Sequence, residues 1–574
     1  MDKQSEIYKL KHSAAHLLAH AVKEIWPSAK LTLGPATETG FFYDFYLSEP
    51  LKESDLEKIE QKMREIAKRD LKIEGRQVSK KEALELYKDN EFKSEIIEGI
   101  EDETVGIYSQ GDFFDLCEGG HIDSTKNLKH FKLMSVAGSY WRADRENAQL
   151  QRVYGVIFST KDELFKYLKR IEEAKKYDHR VIGKKLDLFS FHEEAPGMPF
   201  FHDKGLKIFN KLIEHARKLQ DEDGYQEIQT PLILNENLWK TSGHYDNYKE
   251  HMYFTSTEHE KSTNVLRPMN CPPGILIYKS TPHSYKEFPM KVAEFGKCHR
   301  FELSGVLHGL MRVRSFTMDD AHIFCTPEQI SKEVEKVLIL AEKTYKPFGF
   351  SKITMGLSTK PEKHIGSDQL WETATEALKT ALENRKEDFV INEGDGAFYG
   401  PKIEIILEDT MGREWQCGTV QVDFFLPENF KLEYIDSDQS RKRPVMIHRA
   451  IYGSLERFMG ILLEHYKGRL PFWLSPIQAR VLTITEKQSS YAFDLYEKLK
   501  KANMRCEIDN SGDKINAQIR RSQLDQIPWM LVLGAKEEEN KTITLRNLEG
   551  KQQFGLTVEE LLQKAEELIC EEWK

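Results

Sequence analysis

The chain has 574 residues, of which 40% are hydrophobic and 31% are charged, and its formal net charge is -10 at pH 7. This length predicts three or four domains of roughly 100–200 residues each, and the composition suffices to build packed cores and keep the protein soluble. The negative charge argues against a simple basic nucleic-acid-binding protein, although local basic patches still permit contact with nucleic acid.

The cysteines and the N-terminus indicate the compartment. The seven cysteines are scattered, odd in number and without a C-x-x-C pair, which argues against a disulfide framework. The N-terminal MDKQSEIYKL lacks the apolar core of a signal peptide, and no window approaches the ~18 consecutive apolar residues of a membrane span. We therefore expect a cytoplasmic protein with reduced thiols and no membrane segment.

The first predicted element is a helix in KHSAAHLLAHAVKEIW. From position 14 its apolar residues recur with the i, i+3, i+4, i+7 spacing of one helix face. His12, His16 and His20 fall on the opposite face. This placement favours a solvated face or a cleft over a position in the core.

The segments after this helix predict sheet in the same domain. Residues 31–50 and 104–155 are rich in aromatic and β-branched residues broken by Gly and Asp. A charged helix is predicted between them, over 54–69. The next segment, 161–185, is highly charged with a sparse apolar stripe, which predicts a single linker helix between domains.

The rest of the chain divides into two regions. In the first, a long helix through LKIFNKLIEHARKLQDEDG ends at Gly224, and a mixed α/β region follows. The two prolines of LPFWLSPIQARVLTI mark the boundary to the second. Strands and helices alternate over the last hundred residues, which predicts a small α/β domain with a mainly parallel sheet.

Two residue pairs with the same spacing form the first cluster that could carry chemistry. His12 and His16 give H-x3-H, and Cys117 and His121 in DLCEGGH give C-x3-H. Together they supply four ligands of the types that Zn²⁺ prefers. Two unrelated surface pairs are the alternative, which the shared spacing within one predicted domain disfavours. Histidine also activates water as a general base without metal, so a metal site and a metal-free pocket both remain open.

Two further sets are spread over the middle of the chain. Cys271 in RPMNCPPG, His322 in DDAHIF and His448 in VMIHRAIYG share no local motif, and each alone is more often structural. The other set is basic and comprises Arg300 with Glu302, Arg312, Arg314 and Arg457. An R-x-E strand and a basic loop suit a triphosphate, because arginine clamps phosphate oxygens and glutamate accepts from an adenine amino group. As isolated residues, these arginines would form ordinary surface ion pairs.

Long strings of the sequence, in order along nearly the whole chain, carry a family resemblance. HRFELSG, GLMRVRSFTMDDAHIF, GAFYGPKIEI, WQCGTVQVDFFLPENF and VMIHRAIYGSLERFMGILLEHY resemble the catalytic domain of the threonyl-tRNA synthetases. YKLKHSAAHLLAHAV, GFFYDF and DLCEGGH resemble their editing domain. The sequence from SPIQARVLTI onward is similar to their anticodon-binding domain.

The resemblance implies a multidomain α/β and α+β protein. Its expected parts are an α+β editing domain over 1–160, a linker helix over 161–185, a class II catalytic domain with an antiparallel sheet over 186–472 and an α/β anticodon-binding domain over 473–574. It implies ATP-dependent activation of L-threonine to threonyl-adenylate, transfer to tRNA(Thr), and hydrolytic editing of Ser-tRNA(Thr). It also implies a homodimer, formed through the long helix near 205–223 and the strand that follows.

The implied cofactors are Mg²⁺ with ATP and one Zn²⁺ per subunit, held by Cys271, His322 and His448. Threonine could coordinate such a zinc ion through its amino and hydroxyl groups, whereas valine leaves a position unfilled. Serine lacks only a methyl group, which gives discrimination of only ~10–200-fold. Such an enzyme would attach serine to tRNA(Thr) by mistake and would need a second site that hydrolyses the product. The N-terminal cluster is the expected second site. Family members of this type edit with water and side chains, so we expect no metal in that cluster.

The resemblance assigns roles in the catalytic domain. Arg300 is expected to bind the ATP α-phosphate and the threonine carboxylate, while Arg312 and Arg457 hold the γ-phosphate end. Glu302 is expected to contact adenine, with Phe316 stacked on its ring. The expected positions at the reacting groups are Lys402 and Gln421. The other expected threonine and ATP positions are Met269, Asp320, Tyr399, Gln416, Thr419 and Ser454.

Roles in the two flanking domains follow in the same way. The expected editing residues are His12, His16, Cys117, His121, Lys93, Tyr43 and Asp115. Asn510, Lys514 and Arg546 are the candidates for reading the anticodon, whose bases would be splayed and read on their edges.

The sequence departs from the family pattern at three points. Bacterial members generally begin with a small TGS module, whereas this chain is expected to start directly at the editing domain. Met318 stands where a glutamine is expected beside the threonine site. Glu118 and Gly120 stand where arginine and proline are expected.

Two other functions are alternatives to the ligase. A catalytically impaired synthetase paralogue that acts as an RNA-binding regulator should have lost a triphosphate arginine or a zinc ligand, and this sequence retains them all. A stand-alone metallohydrolase built on the N-terminal cluster would leave most of the chain unexplained.

Overall fold

The computed structural model describes residues 5–144, 146–256 and 262–573. The chain divides into two compact units, 1–173 and 174–574. None of the helices within the described ranges combines the length and the apolar character that a bilayer crossing needs.

The first unit contains two small antiparallel sheets and the helices around them. Its helices are α1 (Glu6–Ile25), α2 (Asp55–Lys68), α3 (Lys80–Leu86), α4 (Glu91–Gly99) and α5 (Lys161–Lys176), the last crossing the unit boundary. Its strands are β1 (Lys30–Leu31), β2 (Phe41–Tyr46), β3 (Ile73–Ser79), β4 (Thr104–Gln110), β5 (Phe113–Leu116), β6 (His130–Tyr140) and β7 (Gln149–Phe158). The sheet orders are β1-β2-β7-β6 and β3-β4-β5.

Helix α1 is buried on every side from Lys11 to Val22. Its apolar stripe packs into the core with β2 and β7. The opposite face is also covered, because the ring of His20 stacks on Phe113 of β5 with the centroids 4.8 Å apart. Of the two sequence-based expectations, the solvated histidine face is therefore wrong, and the cleft remains.

The expected linker helix over 161–185 is two helices. Helix α5 ends at Lys176, and α6 (His179–Lys185) begins after Asp178, whose carboxylate accepts the Arg180 N–H at 2.8 Å. This cap explains the break. The single-helix prediction was wrong because α6 belongs to the second unit, where Ile182 packs into the large apolar core.

The second unit is built around a large sheet. Its remaining helices are α7 (Asp203–Glu222), α8 (Glu236–Thr241), α9 (His244–Tyr248), α10 (Cys271–Tyr278), α11 (Ile330–Tyr345), α12 (Asp368–Asn384), α13 (Phe425–Asn429), α14 (Leu455–His465), α15 (Ser489–Lys501), α16 (Ile515–Leu524), α17 (Ala535–Asn540) and α18 (Val558–Glu572). Its first strands are β8 (Phe189–Ser190), β9 (Phe200–Phe201), β10 (Gln226–Glu227), β11 (Ile233–Asn235), β12 (Tyr253–Thr255), β13 (Asn264–Leu266), β14 (Met290–His299), β15 (Ser315–Cys325), β16 (Lys352–Ser358) and β17 (Phe389–Asn392). Its other strands are β18 (Lys402–Glu408), β19 (Glu414–Asp423), β20 (Tyr434–Ile435), β21 (Arg441–Lys442), β22 (Val445–Ser454), β23 (Ala479–Thr483), β24 (Cys506–Ile508), β25 (Trp529–Leu533), β26 (Ile543–Asn547) and β27 (Gln552–Leu556).

The large sheet has the order β10-β14-β15-β22-β19-β18-β16-β17. Its pairs are antiparallel except at the two edges, where β10 joins β14 and β17 joins β16 in parallel. One face forms the core with α7, α11 and α14, as the fully buried Ile403, Ile405 and Leu407 of β18 illustrate. Because side chains alternate along a strand, Lys402 and Glu404 project from the opposite, polar face.

The C-terminal sheet has the order β24-β23-β25-β26-β27 and is mixed. The first three strands pair in parallel, whereas β25, β26 and β27 pair antiparallel. The prediction of a mainly parallel sheet was therefore wrong. It missed β27, because QQFGL is exposed apart from its last residue and lacks the apolar alternation that identifies a strand.

Candidate active sites

A row of polar side chains crosses the polar face of the large sheet. Lys402 on β18 lies opposite Gln421 on β19. Gln421 in turn lies opposite His448 on β22, and His448 lies opposite His322 on β15. Directly opposed residues of an antiparallel pair project to the same side, with Cβ atoms about 4.5–5.5 Å apart. The register therefore brings together residues that are far apart in sequence.

Cys271 completes a candidate metal centre in this row. It is the first residue of α10, and the ligand atoms of Cys271, His322 and His448 all lie within 4.8 Å of one another. The two imidazole rings are nearly perpendicular, at 87° with centroids 5.0 Å apart. His448 Nε2–H donates to Asp423 Oδ2 at 2.8 Å, which leaves Nδ1 as its metal-binding atom. One thiol and two imidazoles are a donor set that suits Zn²⁺ and leaves a position for substrate.

The protonation states of the cluster fit a metal centre. Burial lowers the pKa of the His322 imidazole well below its usual value, so the ring is neutral, which is the form that binds metal. Burial, with the nearby carboxylates of Asp320 and Asp423, raises the pKa of the Cys271 thiol. The thiol would lose its proton only when a cation arrives, so metal binding at this cluster should release a proton.

The expected threonine-pocket residues surround the same cluster. Asp320 and Thr419 flank Ala450 in the adjacent row of the sheet. An oxygen of the Asp320 carboxylate accepts from Asn270 Nδ2 at 2.6 Å. The ring of Tyr399 lies 5.8 Å from the nearest imidazole of the cluster, between centroids. The half-buried Met269 packs against the apolar cluster that contains the buried thiol.

The sequence-based reasoning missed the carboxylates that hold this site. Glu404 Oε1 accepts from Lys402 Nζ at 2.6 Å and from the exposed Gln416 Nε2 at 2.8 Å. Glu404 follows Lys402 by two residues on one strand face, and Asp423 follows Gln421 in the same way. Strand periodicity was the available signal, because residues two apart share a face.

The expected adenine and phosphate residues lie beside the first row. The Arg300 guanidinium stacks over the Phe316 ring, 5.0 Å from its centroid, and its Nε donates to Pro268 O at 3.2 Å. The Glu302 carboxylate accepts from Arg312 Nε at 3.1 Å. The structure thus brings these four predicted residues into one strip.

Arg457 lies in the first turn of α14. Its backbone N–H donates to Ser454 Oγ at 3.2 Å, so Ser454 is the N-cap of that helix. The Arg457 guanidinium lies 5.8 Å from the Trp415 ring. Its Nε is buried and has no hydrogen-bond partner in the part of the chain that the structure describes. An unsatisfied donor of this kind suits an anionic ligand.

In the first unit, the four residues of the predicted N-terminal cluster meet. Cys117 Sγ lies 3.2 Å from His121 Nε2 and 3.5 Å from His12 Nε2. The ligand atoms of these residues and His16 all lie within 4.8 Å of one another. His121 Nδ1 is 3.1 Å from Ser13 Oγ, which fixes the orientation of the ring. The geometry alone permits both a bound cation and a metal-free pocket.

A buried carboxylate lies beneath this cluster. Asp115 accepts from Lys93 Nζ at 2.6 Å and from the Tyr43 hydroxyl at 2.5 Å, and its carboxylate lies 4.0 Å from His16 Nε2. Burial lowers the pKa of His16 and raises that of Cys117 to about 12. The pocket therefore contains a neutral imidazole and a neutral thiol. The Asp115 carboxylate beneath them is paired with Lys93 and Tyr43.

A further group of potential ligands lies near α6 and α14. Asp178, His179 and Glu464 are close enough to share a cation. However, His179 Nδ1–H donates to Glu464 at 2.6 Å, and its Nε2 accepts the Leu310 N–H at 3.0 Å. Both ring nitrogens are thus used, and this histidine is a structural link.

Comparisons with known proteins match three segments of the chain to family models. Residues 253–466 match the tRNA synthetase class II core domain (G, H, P, S and T), and residues 478–568 match an anticodon binding domain. Residues 105–154 match the threonyl and alanyl tRNA synthetase second additional domain. A threonine–tRNA ligase of Acetivibrio thermocellus is 51% identical over 562 residues, which are 97% of this chain and 88% of that protein. The chain belongs to the threonyl-tRNA synthetase family.

Other members of the family give the same result. The threonine–tRNA ligase of Caldanaerobacter subterraneus subsp. tengcongensis is 52% identical over 539 residues, 93% of this chain and 83% of that protein. A crystal structure described as the RNA binding domain of threonyl-tRNA synthetase from Cryptosporidium parvum Iowa II aligns with a TM-score of 0.66 at 44% identity. It covers 68% of this chain and 98% of that chain. The family models matched at 253–466 and 105–154 support the predicted class II and editing folds.

The synthetase's expected anticodon residues do not form one cluster. Asn510 and Lys514 are exposed in the loop that follows β24, at the carboxyl ends of the parallel strands. Arg546 lies opposite Met530, near the amino end of β25. From the strand register, Arg546 is about 10 Å along the strands and about 14 Å across them from Asn510.

The buried pair beneath the synthetase's N-terminal cluster generates a stability prediction. The side chains of Lys93 and Asp115 are 3% and 2% exposed. We expect Lys93→Met to lower the free energy of unfolding of the first unit by about 3–5 kcal/mol, because it leaves a buried carboxylate without its cation. Denaturant unfolding would measure the loss.

Lys30→Met is the matched control, since Lys30 forms a more exposed pair with Glu91 at 2.6 Å. That change should cost less than about 1 kcal/mol. Equal losses in the two variants would contradict the assignment of Asp115 as an anchor.

Proposed function

We propose that the chain performs the reactions of a threonine–tRNA ligase with the residues assembled on its large sheet. The observation that carries this proposal is the convergence of Cys271, His322 and His448, with Arg300 stacked over Phe316 on the same strand as His322. The threonine carboxylate would attack the α-phosphorus of ATP, pyrophosphate would leave, and threonyl-adenylate would form. A terminal ribose hydroxyl of tRNA(Thr) would then attack the threonyl carbonyl and release AMP.

For metal binding, the donor set supports one Zn²⁺ held by Cys271, His322 and His448. When bound, zinc would supply Lewis-acid recognition of the amino and hydroxyl groups of threonine. Asp423 keeps the His448 ring oriented for this purpose through its hydrogen bond to Nε2. Mg²⁺ would enter with the ATP triphosphate as part of the substrate.

For ATP binding, we assign the strip around Phe316. Arg300 would pair with the α-phosphate and the threonine carboxylate, and so bring the attacking and accepting groups together. Arg312 and Arg457 would hold the γ-phosphate end, and Glu302 would accept from the adenine amino group. Arginine suits these contacts because its planar fork donates to two oxygens at once. Positioning and charge stabilisation would supply most of the acceleration.

The remaining residues of the polar face would shape the threonine site. Lys402 and Gln421 stand in the row of the candidate metal centre, where they would contact the reacting groups. The residues that we place around the amino acid are Met269, Asp320, Tyr399, Gln416 and Thr419. Ser454 would act on the nucleotide side through the start of α14.

We assign the N-terminal cluster to hydrolysis of Ser-tRNA(Thr). Serine carries the hydroxyl group that the threonine site would recognise. Serine differs from threonine only by one methyl group, and this difference alone gives weak discrimination. In the pocket, His12, His16 and His121 would orient and deprotonate water, which attacks the ester and frees serine. The pKa of the Cys117 thiol, raised to about 12, supports a hydrogen-bonding role rather than a nucleophilic one.

Assembly and location complete the proposal. Exposed apolar side chains on α7 and after it support a homodimer formed there, with Leu206, Leu232 and Ile233 46%, 43% and 57% exposed. Asn510 and Lys514 would read the anticodon, and Arg546 would make a separate contact. All seven cysteines are free thiols, which supports a cytoplasmic location.

We propose domain limits close to those expected from the sequence. The catalytic domain would cover 186–472 together with α6, and the anticodon-binding domain 473–574. The family matches at 253–466 and 478–568 support these limits. The editing domain would cover 1–160, with α5 as the connection.

Metal content tests the assignment of the two histidine clusters. The purified protein should contain one zinc ion per chain, and Cys271→Ala should remove it, because two imidazoles alone bind more weakly. His16→Ala should leave the zinc content unchanged. Elemental analysis with a fold check by circular dichroism provides the measurement. Loss of zinc in His16→Ala, or two ions per chain, would show that the N-terminal pocket holds metal.

Amino-acid-dependent ATP–pyrophosphate exchange tests selectivity. Relative to threonine, serine should be used about 10–200-fold less efficiently, because it lacks one methyl group. Valine should be rejected by about 10⁴-fold or more, because it leaves a polar site unpaired. Comparable exchange with valine and threonine would refute recognition through the hydroxyl group.

The editing assignment is tested with mischarged tRNA. His16→Ala should slow hydrolysis of Ser-tRNA(Thr) by about 100-fold, the range for removal of a group that assists proton transfer. Cys117→Ala should also slow it, because it removes the hydrogen-bonding partner of His12 and His121. Threonine activation should stay unchanged, because these residues lie outside the second unit. His130→Ala, at the start of β6 and outside the cluster, is the control. Rapid deacylation by both cluster variants would contradict the assignment.

A further inference from the structure

The end of β22 contains a bulge that β15 cannot satisfy with its main chain. Asp320 lies opposite Ala450, but the next pair in the register is Met318 with Ser454. One residue of β15, Asp319, therefore faces three residues of β22. An ordinary antiparallel ladder has no partners for so many N–H groups at one position.

The Asp319 carboxylate takes the place of the missing acceptors. It is 1% exposed and accepts the N–H groups of Ile451, Tyr452 and Gly453 at 3.0–3.1 Å. Burial raises the pKa of this carboxyl to about 7, while the Arg449 guanidinium and the amides act in the opposite direction. Only an ionised carboxylate offers two oxygens that accept on all sides, so aspartate suits this position.

The bulge fixes the start of α14. Gly453 has φ +72°, and a Cβ there would lie 2.8 Å from the Cys417 carbonyl oxygen, so glycine alone fits. The next residue, Ser454, is the N-cap of α14 and accepts the backbone N–H of Arg457. A shift of the bulge therefore moves Arg457 directly.

Glu456 ties the same turn to β15 by a second route. This side chain is fully buried and accepts the Thr317 N–H at 2.7 Å and the Ser454 hydroxyl at 3.2 Å. It also accepts from Lys297 Nζ at 3.2 Å. Because side chains alternate along a strand, Asp319 projects away from the face that carries Asp320. Its effect on the reaction would therefore pass through the turn.

We propose that Asp319 is a positioning residue for threonine activation, which aims Arg457 at the ATP triphosphate by holding the 451–453 bulge. The proposal rests on the phosphate-binding role of Arg457 given under Proposed function. Bulges beside sites commonly redirect a side chain. Here the redirected element is the first turn of α14, and the buried carboxylate is what makes the bulge a single, fixed conformation.

Asp319→Asn tests this role with little change in shape. The amide has one accepting oxygen and adds donors that face the donors of the bulge. We expect kcat/KM for ATP in pyrophosphate exchange to fall by about 10–100-fold, the effect of a small misplacement at a site. Threonine affinity and zinc content should stay unchanged, because the polar face is intact.

Glu333→Gln is the matched control. Glu333 is a buried carboxylate on α11, where it pairs with Lys336 Nζ at 2.6 Å. This variant should lose stability and keep its ATP kinetics within about 2-fold, as expected for a site without contact to the turn. An equal loss of kcat/KM for ATP in Glu333→Gln would reduce Asp319 to a structural role and overturn the proposal.

A double-mutant cycle with Arg457→Ala separates positioning from other effects. If Asp319 acts through Arg457, adding Asp319→Asn to Arg457→Ala should change the ATP kinetics by less than about 2-fold. Additive losses would overturn the positioning role while leaving the role of Arg457 intact. Unchanged ATP kinetics in Arg457→Ala alone would instead remove the proposed function of Arg457, and the inference with it.

Glu456→Gln keeps the test decisive if Asp319→Asn does not fold. Its amide oxygen still accepts the Thr317 N–H, so this variant should remain folded and give a smaller loss that is again selective for ATP. The same cycle with Arg457→Ala should show non-additive losses. Additivity in this cycle would overturn positioning through the turn.

Discussion

The register of the large antiparallel sheet is the constraint on which the catalytic unit depends. It sets Lys402, Gln421, His448 and His322 in one row, although they come from four strands spread over the chain. A slip of one residue in any strand would turn its polar side chains into the core and its apolar ones toward substrate. Side chains alternate between the two faces of a strand, so the register that places apolar residues in the core also places polar residues on the opposite face. The core and the site therefore depend on the same alternation.

Buried carboxylates hold the functional groups in both units. Asp423 orients His448, Asp115 anchors Lys93 and Tyr43, and Asp319 fixes the bulge before α14. Each has at least two polar partners, as a carboxylate removed from water requires. Such groups contribute little net stability when paired, but a wrong conformation would leave a charge unsatisfied. The buried carboxylates therefore favour a single arrangement of the neighbouring side chains. Catalysis that depends on the positioning of substrates requires such a fixed arrangement.

The two histidine clusters show why ligand type alone does not decide function. The N-terminal cluster has the stronger sequence motif, with His12, His16, Cys117 and His121 at matched spacing. The cluster on the large sheet has no local motif, yet one of its rings is held by a carboxylate, which would orient it for a cation. Beneath the N-terminal cluster, the carboxylate of Asp115 is already occupied by a lysine and a tyrosine. Under the proposed function, the surroundings of the ligands would distinguish the two sites, not the ligands themselves.

Family-level features of the protein could be predicted from the sequence. Long contiguous strings identify the three domains, and helical periodicity located α1, although this helix begins at Glu6, before the predicted segment. These features are local, so neighbouring residues suffice to specify them. Where local signals were weak, prediction failed: Asp178 divides the expected linker helix, and the polar strand β27 makes the last sheet mixed.

Only the tertiary structure decided how the site residues are held. Glu404 and Asp423 carry no motif, and their roles appear only once the strands are paired. Asp319 is adjacent in sequence to the expected substrate residue Asp320, yet it faces the other side and holds a turn that lies 132–134 residues further along the chain. The sequence by itself determined which chemistry the chain carries, because residue types and short spacings encode it. The positions of the site residues relative to one another were decided only by the tertiary structure. Strand register and bulges arise from contacts between distant segments, which no local sequence pattern contains.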